Sequence, residues 1–174
     1  MSDTGSSPDS TTRWVPPAET IYDACRRGNA ERFMGYVEKG GCLSECDDQK
    51  LTLLHHAAFS GNMAFVKAIL DRSGTQQVMI DAADREGWTP LHYAADRGHT
   101  QVAAALLDEG ASVNARDTAK RTPMHLAALS GRADVVALLL RNGASMTAKN
   151  VAGMTPMDCA KEADQAAVIA QLQL

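Results

Sequence analysis

The sequence predicts an all-α solenoid, built of stacked helix-turn-helix units with projecting β-turn or hairpin loops. Three observations carry this. The stretch "TLLHHAAFSGN" at 52–62 returns as "TPLHYAADRGH" at 89–99 and as "TPMHLAALSGR" at 122–132. The glycines within these stretches, Gly61, Gly98 and Gly131, are 37 and 33 residues apart. The composition is 45% apolar but only 5% aromatic, with abundant Ala and Leu, which favours close helix packing over an aromatic-rich β core. Self-similarity at such a period marks a unit that buries its apolar face only by stacking on copies of itself.

Stepping back 33 residues from Gly61 reaches Gly28 in "IYDACRRGNAERF", and stepping forward from Gly131 reaches Asp164 in "TPMDCAKEADQAA". Thr52, Thr89, Thr122 and Thr155 repeat in the same way. Five units follow, at about 19–50, 51–87, 88–120, 121–153 and 154–174. The preceding segment, 1–18, is rich in Ser, Thr, Asp and Pro and reads as a disordered tail. Its Ser7-Pro8 pair suits proline-directed phosphorylation, and Trp14 and Val15 are placed to fold back over the first unit.

The third unit shows the logic of each element. Thr89 is suited to cap a helix by accepting a backbone N–H bond. Pro90 fits the first helical position, where its missing N–H costs nothing. Leu91, Ala94 and Ala95 fall on one helical face. Gly98 suits the left-handed residue that ends a helix. A second helix carries Val102, Ala105 and Leu106 inward and stops at Gly110. "ASVNARD" is then too polar and turn-rich to continue it. The outer units depart from the pattern. Unit one keeps Ile21 and Ala24 but lacks Thr-Pro and His; unit five has Asp158 for the His and Asp164 for the Gly. Gln165, Gln171 and Gln173 suit the polar outer face of an end unit. The four extra residues fall within "DRSGTQQVMIDAADREG", around 74–79. They read either as a tolerated loop or as a contact loop bearing Val78, Met79 and Ile80, of which Ile80 matches Val113 and is expected to be partly buried.

This pattern resembles the ankyrin repeat family, whose period is 33 and whose core motif is T-P-L-H-x-A. "TPLHYAADRGHTQVAAALLDEGASVNARD" reads almost as the family consensus, and the resemblance covers residues 19–174. It implies a small ankyrin stack that binds a partner protein through the concave face formed by turn tips and first helices. The matching tip positions are Asp48, Gln49, Leu51, Arg85, Glu86 and Trp88, then Thr118, Ala119, Arg121, Val151, Ala152 and Met154. The matching helix positions are His56, Phe59, Ser60, Tyr93, Asp96 and Arg97, then Leu126, Leu129 and Ser130. Trp, Tyr and Arg dominate binding hot spots, and Trp88, Tyr93, Arg85 and Arg97 cluster in unit three. Trp88 has a second reading as mere cover for the turn. Asn114 matches the position asparaginyl hydroxylases modify in this family, with Leu106 eight residues before it, and is equally a plain turn residue.

Chemistry is not indicated. His55, His92 and His125 share one slot, with His56 and His99 in addition. Equivalent residues on stacked helices stand about 8–10 Å apart, too far to share an ion with ligand bonds of about 2 Å. The motif histidines are therefore expected to bond turn backbone and tie neighbouring units together. Cys42 and Cys46 form a C-x3-C without a partner pair, so zinc is not expected, while Cys25 and Cys159 read as small buried hydrophobes. There is no nucleophile motif, Gly-rich phosphate loop or HExxH. A net charge of −4 argues against general nucleic-acid binding. No apolar run reaches membrane-spanning length and no secretory h-region opens the chain. The expectation is a monomeric protein of the cytoplasm, and also of the nucleus, with reduced thiols, no cofactor and no catalysis. Within that class a regulatory subunit or assembly chaperone differs only in its partner, and a metal or redox protein is the less favoured alternative.

Overall fold

The computed structural model describes residues 19–73 and 78–173. Among the described residues ten helices follow one another in pairs: α1 (Ile21–Arg27) and α2 (Ala30–Glu38), α3 (Leu53–Ser60) and α4 (Met63–Leu70), α5 (Pro90–Arg97) and α6 (Thr100–Asp108), α7 (Pro123–Leu129) and α8 (Ala133–Arg141), α9 (Pro156–Glu162) and α10 (Ala166–Leu172). The odd helices stack α1–α3–α5–α7–α9 and the even helices α2–α4–α6–α8–α10. This is the all-α stack of repeated units that the sequence predicts.

Packing follows from side-chain size. The alanine pairs Ala57–Ala58, Ala94–Ala95 and Ala127–Ala128 are fully buried and let the odd helices approach closely. Leu54, Leu91 and Met124 fill one recurring slot, each contributing about 1.5–3 kcal/mol by leaving water. Larger groups sit in the even row, where Phe33 stacks on Phe65 with ring centroids 4.0 Å apart.

The helix starts divide by chemistry. In units two to four the ring Nδ1 of the motif histidine accepts the backbone N–H of the capping threonine at 3.0–3.1 Å. That threonine's hydroxyl lies 2.9 Å from the same nitrogen. In the outer units an aspartate takes the histidine's place. Thr155 N–H donates to Asp158, and Thr20 plays the same part with Asp23. Unit one has no Thr-Pro pair, since Ile21 follows Thr20, yet Thr20 still caps α1 with a full capping box. The glycine slot is likewise kept in unit five, where Asp164 adopts φ 53°.

The connections between units are turns rather than strands; among the described residues only an isolated bridge, Cys46 to Thr52, has β pairing. In the insertion, Val78 and Ile80 pack against the core and Met79 is 49% exposed. Residues 74–77 lie outside the described residues, as do Ser7, Pro8, Trp14 and Val15 of the tail.

Candidate functional site

Two sets of polar contacts position the surface formed by the turns and the odd helices. The first is the histidine set. Nε2 of His55 lies 3.1 Å from the Trp88 carbonyl, that of His92 3.2 Å from the Arg121 carbonyl, and that of His125 3.1 Å from the Met154 carbonyl. With Nδ1 accepting from threonine, Nε2 carries the proton and donates across the unit boundary. Burial holds all three imidazoles below the usual histidine range and so keeps them neutral. Each ring therefore spans from its own helix start to the next unit's turn. Among the described residues no cluster of His, Cys, Asp or Glu could hold a metal ion.

The second set was not read in the sequence. Five residues before Thr52, Thr89, Thr122 and Thr155 stand Asp47, Asp84, Asp117 and Asn150. One side-chain oxygen of each gathers the turn's backbone: Asp84 Oδ1 accepts from Glu86 and Trp88 N–H at 2.9 and 2.8 Å, and Asn150 Oδ1 accepts from Ala152 and Met154 N–H at 2.9 and 3.0 Å. The second oxygen of each aspartate reaches a side chain. Asp84 Oδ2 accepts the Tyr93 hydroxyl at 2.6 Å, Asp47 Oδ2 binds His56 Nε2 at 3.0 Å, and Asp117 Oδ2 accepts Arg121 Nε–H at 2.7 Å. The turns are joined to one another by single backbone bonds, such as Thr118 N–H to the Glu86 carbonyl at 3.0 Å and Val151 N–H to the Ala119 carbonyl at 2.9 Å. Asn114 belongs to the same scaffold. Its side chain accepts from Ser145 N–H at 2.9 Å and donates to the Gly143 carbonyl at 3.3 Å.

These contacts sort the expected surface residues. His56 and Leu126 are corrected: they are 4% and 2% exposed. Their slot lies nine residues after the turn acid and points beneath the turn, so His56 is spent on Asp47 and Leu126 on packing. Tyr93, in the same slot, remains half-buried. Arg85, Glu86, Arg97 and Thr118 are exposed, and Trp88, Phe59, Asp96, Arg121 and Met154 are half-buried. Leu129 is 41% exposed and Val151 66%.

Five of these side chains form one row. Arg97 lies over the Phe59 ring with its guanidinium carbon 4.1 Å from the centroid. Phe59 meets Tyr93 edge-on at 6.0 Å, Tyr93 meets Trp88 at 5.0 Å, and Arg121 sits 5.5 Å over Trp88. Asp96 is held by the Ser130 hydroxyl at 2.7 Å. The row crosses units two, three and four, and cationic ends flank its aromatic middle.

Comparison with known proteins settles the family. A model of ankyrin repeats in three copies matches residues 21–117, and a second ankyrin repeat model matches 106–160. The chain belongs to the ankyrin repeat family. It is 31% identical over 103 residues to diacylglycerol kinase zeta of Rattus norvegicus, a match covering 59% of this chain and 11% of that protein. It is 37% identical over 116 residues to delta-latroinsectotoxin-Lt1a of Latrodectus tredecimguttatus, covering 64% and 9%. Ankyrin repeat and SOCS box protein 3 of Bos taurus is 28% identical over 107 residues, covering 62% and 20%. The chain thus spans a fifth or less of these relatives, which share its repeats and not their other domains. Ankyrin repeats are in general protein-interaction modules and are typically non-catalytic. Among the described residues no helix is long and apolar enough to cross a membrane.

Proposed function

We propose that this ankyrin stack binds a partner protein through the face made by its turn tips and odd helices, centred on the row Arg97–Phe59–Tyr93–Trp88–Arg121. The observation that carries the reading is that row itself: three aromatic rings and two guanidiniums in continuous contact on the outside of the stack. Aromatic residues and arginine are the types that dominate binding energy. The rings are fixed from beneath, Tyr93 by Asp84 and the Trp88 turn by Asp84 and His55, so little ordering entropy is lost on binding. Arg85, Glu86 and Thr118 border the row, and Leu129 and Met154 extend it with apolar surface toward unit five. Action is through binding, without catalysis or cofactor, by a monomer in a reducing, cytoplasmic or nuclear setting.

The test is affinity capture from native extract with wild type beside Trp88→Ala/Arg85→Glu, after circular dichroism has shown the variant folded. A specific partner kept by wild type and lost by the folded variant supports the reading. A partner held equally by both moves binding off this face and defeats it.

A further inference from the structure

Each unit presents one set of slots to the unit before it. Phe65 of unit two stacks on Phe33 of unit one. Phe65 stands three residues after Asn62, as Val102, Val135 and Val168 stand three after His99, Arg132 and Gln165, and all four are buried. Four residues further along, Ile69, Leu106 and Leu139 are buried too. Unit one carries Arg32 and Tyr36 in these slots. No unit precedes it among the described residues, so Arg32 is exposed and Tyr36 half-buried at an open end. With Ile21, Asn29 and Gly35 they line a groove of about 590 Å³. Gly35 lies inside α2, where glycine weakens a helix, and a Cβ there would meet nothing within 4 Å. The groove floor is therefore low and free. The Tyr36 ring beside it is fixed by its hydroxyl, which donates to the Cys42 carbonyl at 3.0 Å.

A hydrogen bond shows which way the chain enters this groove. In units three to five the residue after the helix-ending turn donates to a carbonyl of the preceding unit, as His99 does to Phe59. Asn29 holds that place in unit one, and its amide donates to the Glu19 carboxylate at 2.9 Å. Glu19 thus stands where a preceding unit would stand, against a residue of the groove lining. Residues 13–18, Arg-Trp-Val-Pro-Pro-Ala, adjoin it and lie outside the described residues. Val15 and Pro16 each precede a proline, which biases them to extended backbone. Trp14 is five residues from Glu19, a reach of up to about 17 Å, against about 14 Å for the length of α2. The lining also matches in chemistry. Its two cations, Arg32 and Lys39, suit the face of an indole. Ile21 and the Gly35 floor suit apolar side chains, and Glu31 suits Arg13.

We propose that Trp14 and Val15 dock in this groove and close the open end of the stack, taking the place of a preceding unit. The end units of a solenoid need such closure, because their outer slots have no neighbour to cover them. The groove shares no residue with the aromatic row, so this inference is independent of the binding face.

The test is made on the full chain by nuclear Overhauser contacts and amide exchange. Expected are contacts from the Trp14 indole to the Ile21 methyls and the Tyr36 ring. Trp14→Ser/Val15→Ser should speed amide exchange in α2 by about fivefold or more, the factor equivalent to ~1 kcal/mol, and leave α7 unchanged. Gly35→Leu, shown folded by circular dichroism, fills the groove and should abolish the Trp14 contacts while the tail stays intact. Absence of those contacts in the wild type, or equal α2 exchange with and without Trp14 and Val15, overturns the docking. Contacts that survive Gly35→Leu place Trp14 outside the groove and overturn it as well. Contacts found only between differently labelled copies give the groove to a second molecule and defeat the proposal.

Discussion

Replacing His92 by alanine tests whether the histidine slot holds neighbouring units together. The ring is fully buried, accepts Thr89 N–H at 3.1 Å and lies 3.2 Å from the Arg121 carbonyl. Alanine leaves the buried Thr89 N–H without its acceptor, a loss of about 1–3 kcal/mol. The Arg121 carbonyl keeps a bond from Asp117 N–H at 3.0 Å, so removing the bridge costs only about 0.5–1.5 kcal/mol there. The vacated ring volume adds about 1–2 kcal/mol of lost packing. The expected total is about 4 kcal/mol, a large share of the ~5–15 kcal/mol by which domains are stable. His92→Asn separates the parts. Its amide oxygen can still accept Thr89 N–H but falls short of Arg121, so about half the loss should return. Urea unfolding followed by helix ellipticity reads both variants. A loss below about 1 kcal/mol for His92→Ala, or equal losses for the two, refutes the bridging account.

Three further outcomes follow from the same contacts. His55, His56, His92 and His125 all have folded pKa values lowered by burial. Their contribution to stability is therefore complete above the unfolded value of about 6.5 and is lost as pH falls below it, by up to about 1.4 kcal/mol per pH unit for each ring; stability that stays flat from neutral pH downward contradicts this. Gly61→Ala must hold φ at 71° and place its Cβ 2.5 Å from the His99 ring, whereas Gly110→Ala at φ 90° meets nothing within 4 Å. Both lose about 1–2 kcal/mol to the left-handed backbone, and Gly61→Ala should lose measurably more in thermal unfolding. Of the four thiols, Cys42 and Cys46 are exposed while Cys25 and Cys159 are buried, with burial pushing Cys25 up to about 12. Alkylation of the native protein should modify the first pair quickly and the second only on unfolding, as mass spectrometry would show.

The repeat, its histidines and its glycines were legible because each is a local demand repeated at one spacing. The turn acids were equally repeated, five residues before Thr52, Thr89 and Thr122 with Asn150 in the same place before Thr155, yet they blend in because Asp in a turn reads as ordinary. Their second oxygen decides what the next helix can expose, and only the fold places His56 beside Asp47. The same contact buries a residue whose sequence position matched the open face. Another tie was invisible for a different reason. In units three to five the residue after the helix-ending turn reaches back one unit, His99 to the Phe59 carbonyl at 3.2 Å, Arg132 to that of Asp96 at 3.0 Å and Gln165 to that of Leu129 at 3.4 Å. His, Arg and Gln share no residue type, only reach and a donor, so no motif marks them. Gln165, expected on the outer face of an end unit, is spent inward in this way.

The distribution of these ties bears on where binding sits. In a linear stack each boundary is held only by its two neighbours, so the weakest boundary opens first. The boundary between units one and two lacks the histidine bridge, because Asp23 occupies the slot and its own capping threonine consumes it. Cys25 Sγ, 3.6 Å from the Leu53 carbonyl, the Tyr22 ring, 5.5 Å from His56, the Asp47–His56 contact, the Phe33–Phe65 stack and one backbone bond from Arg85 N–H to the Gln49 carbonyl at 3.3 Å cross there without it. The boundaries on either side of unit three carry a histidine bridge, a backbone bond between turns and a reach-back donor at once. The aromatic row lies on those boundaries. A surface meant to bind without reorganising belongs on the part of the stack that opens last, and hydrogen exchange should find the amides of α5 and α7 slower than those of α1. Faster exchange in α5 than in α1 would detach the binding face from the rigid part of the stack and remove the entropic argument for it.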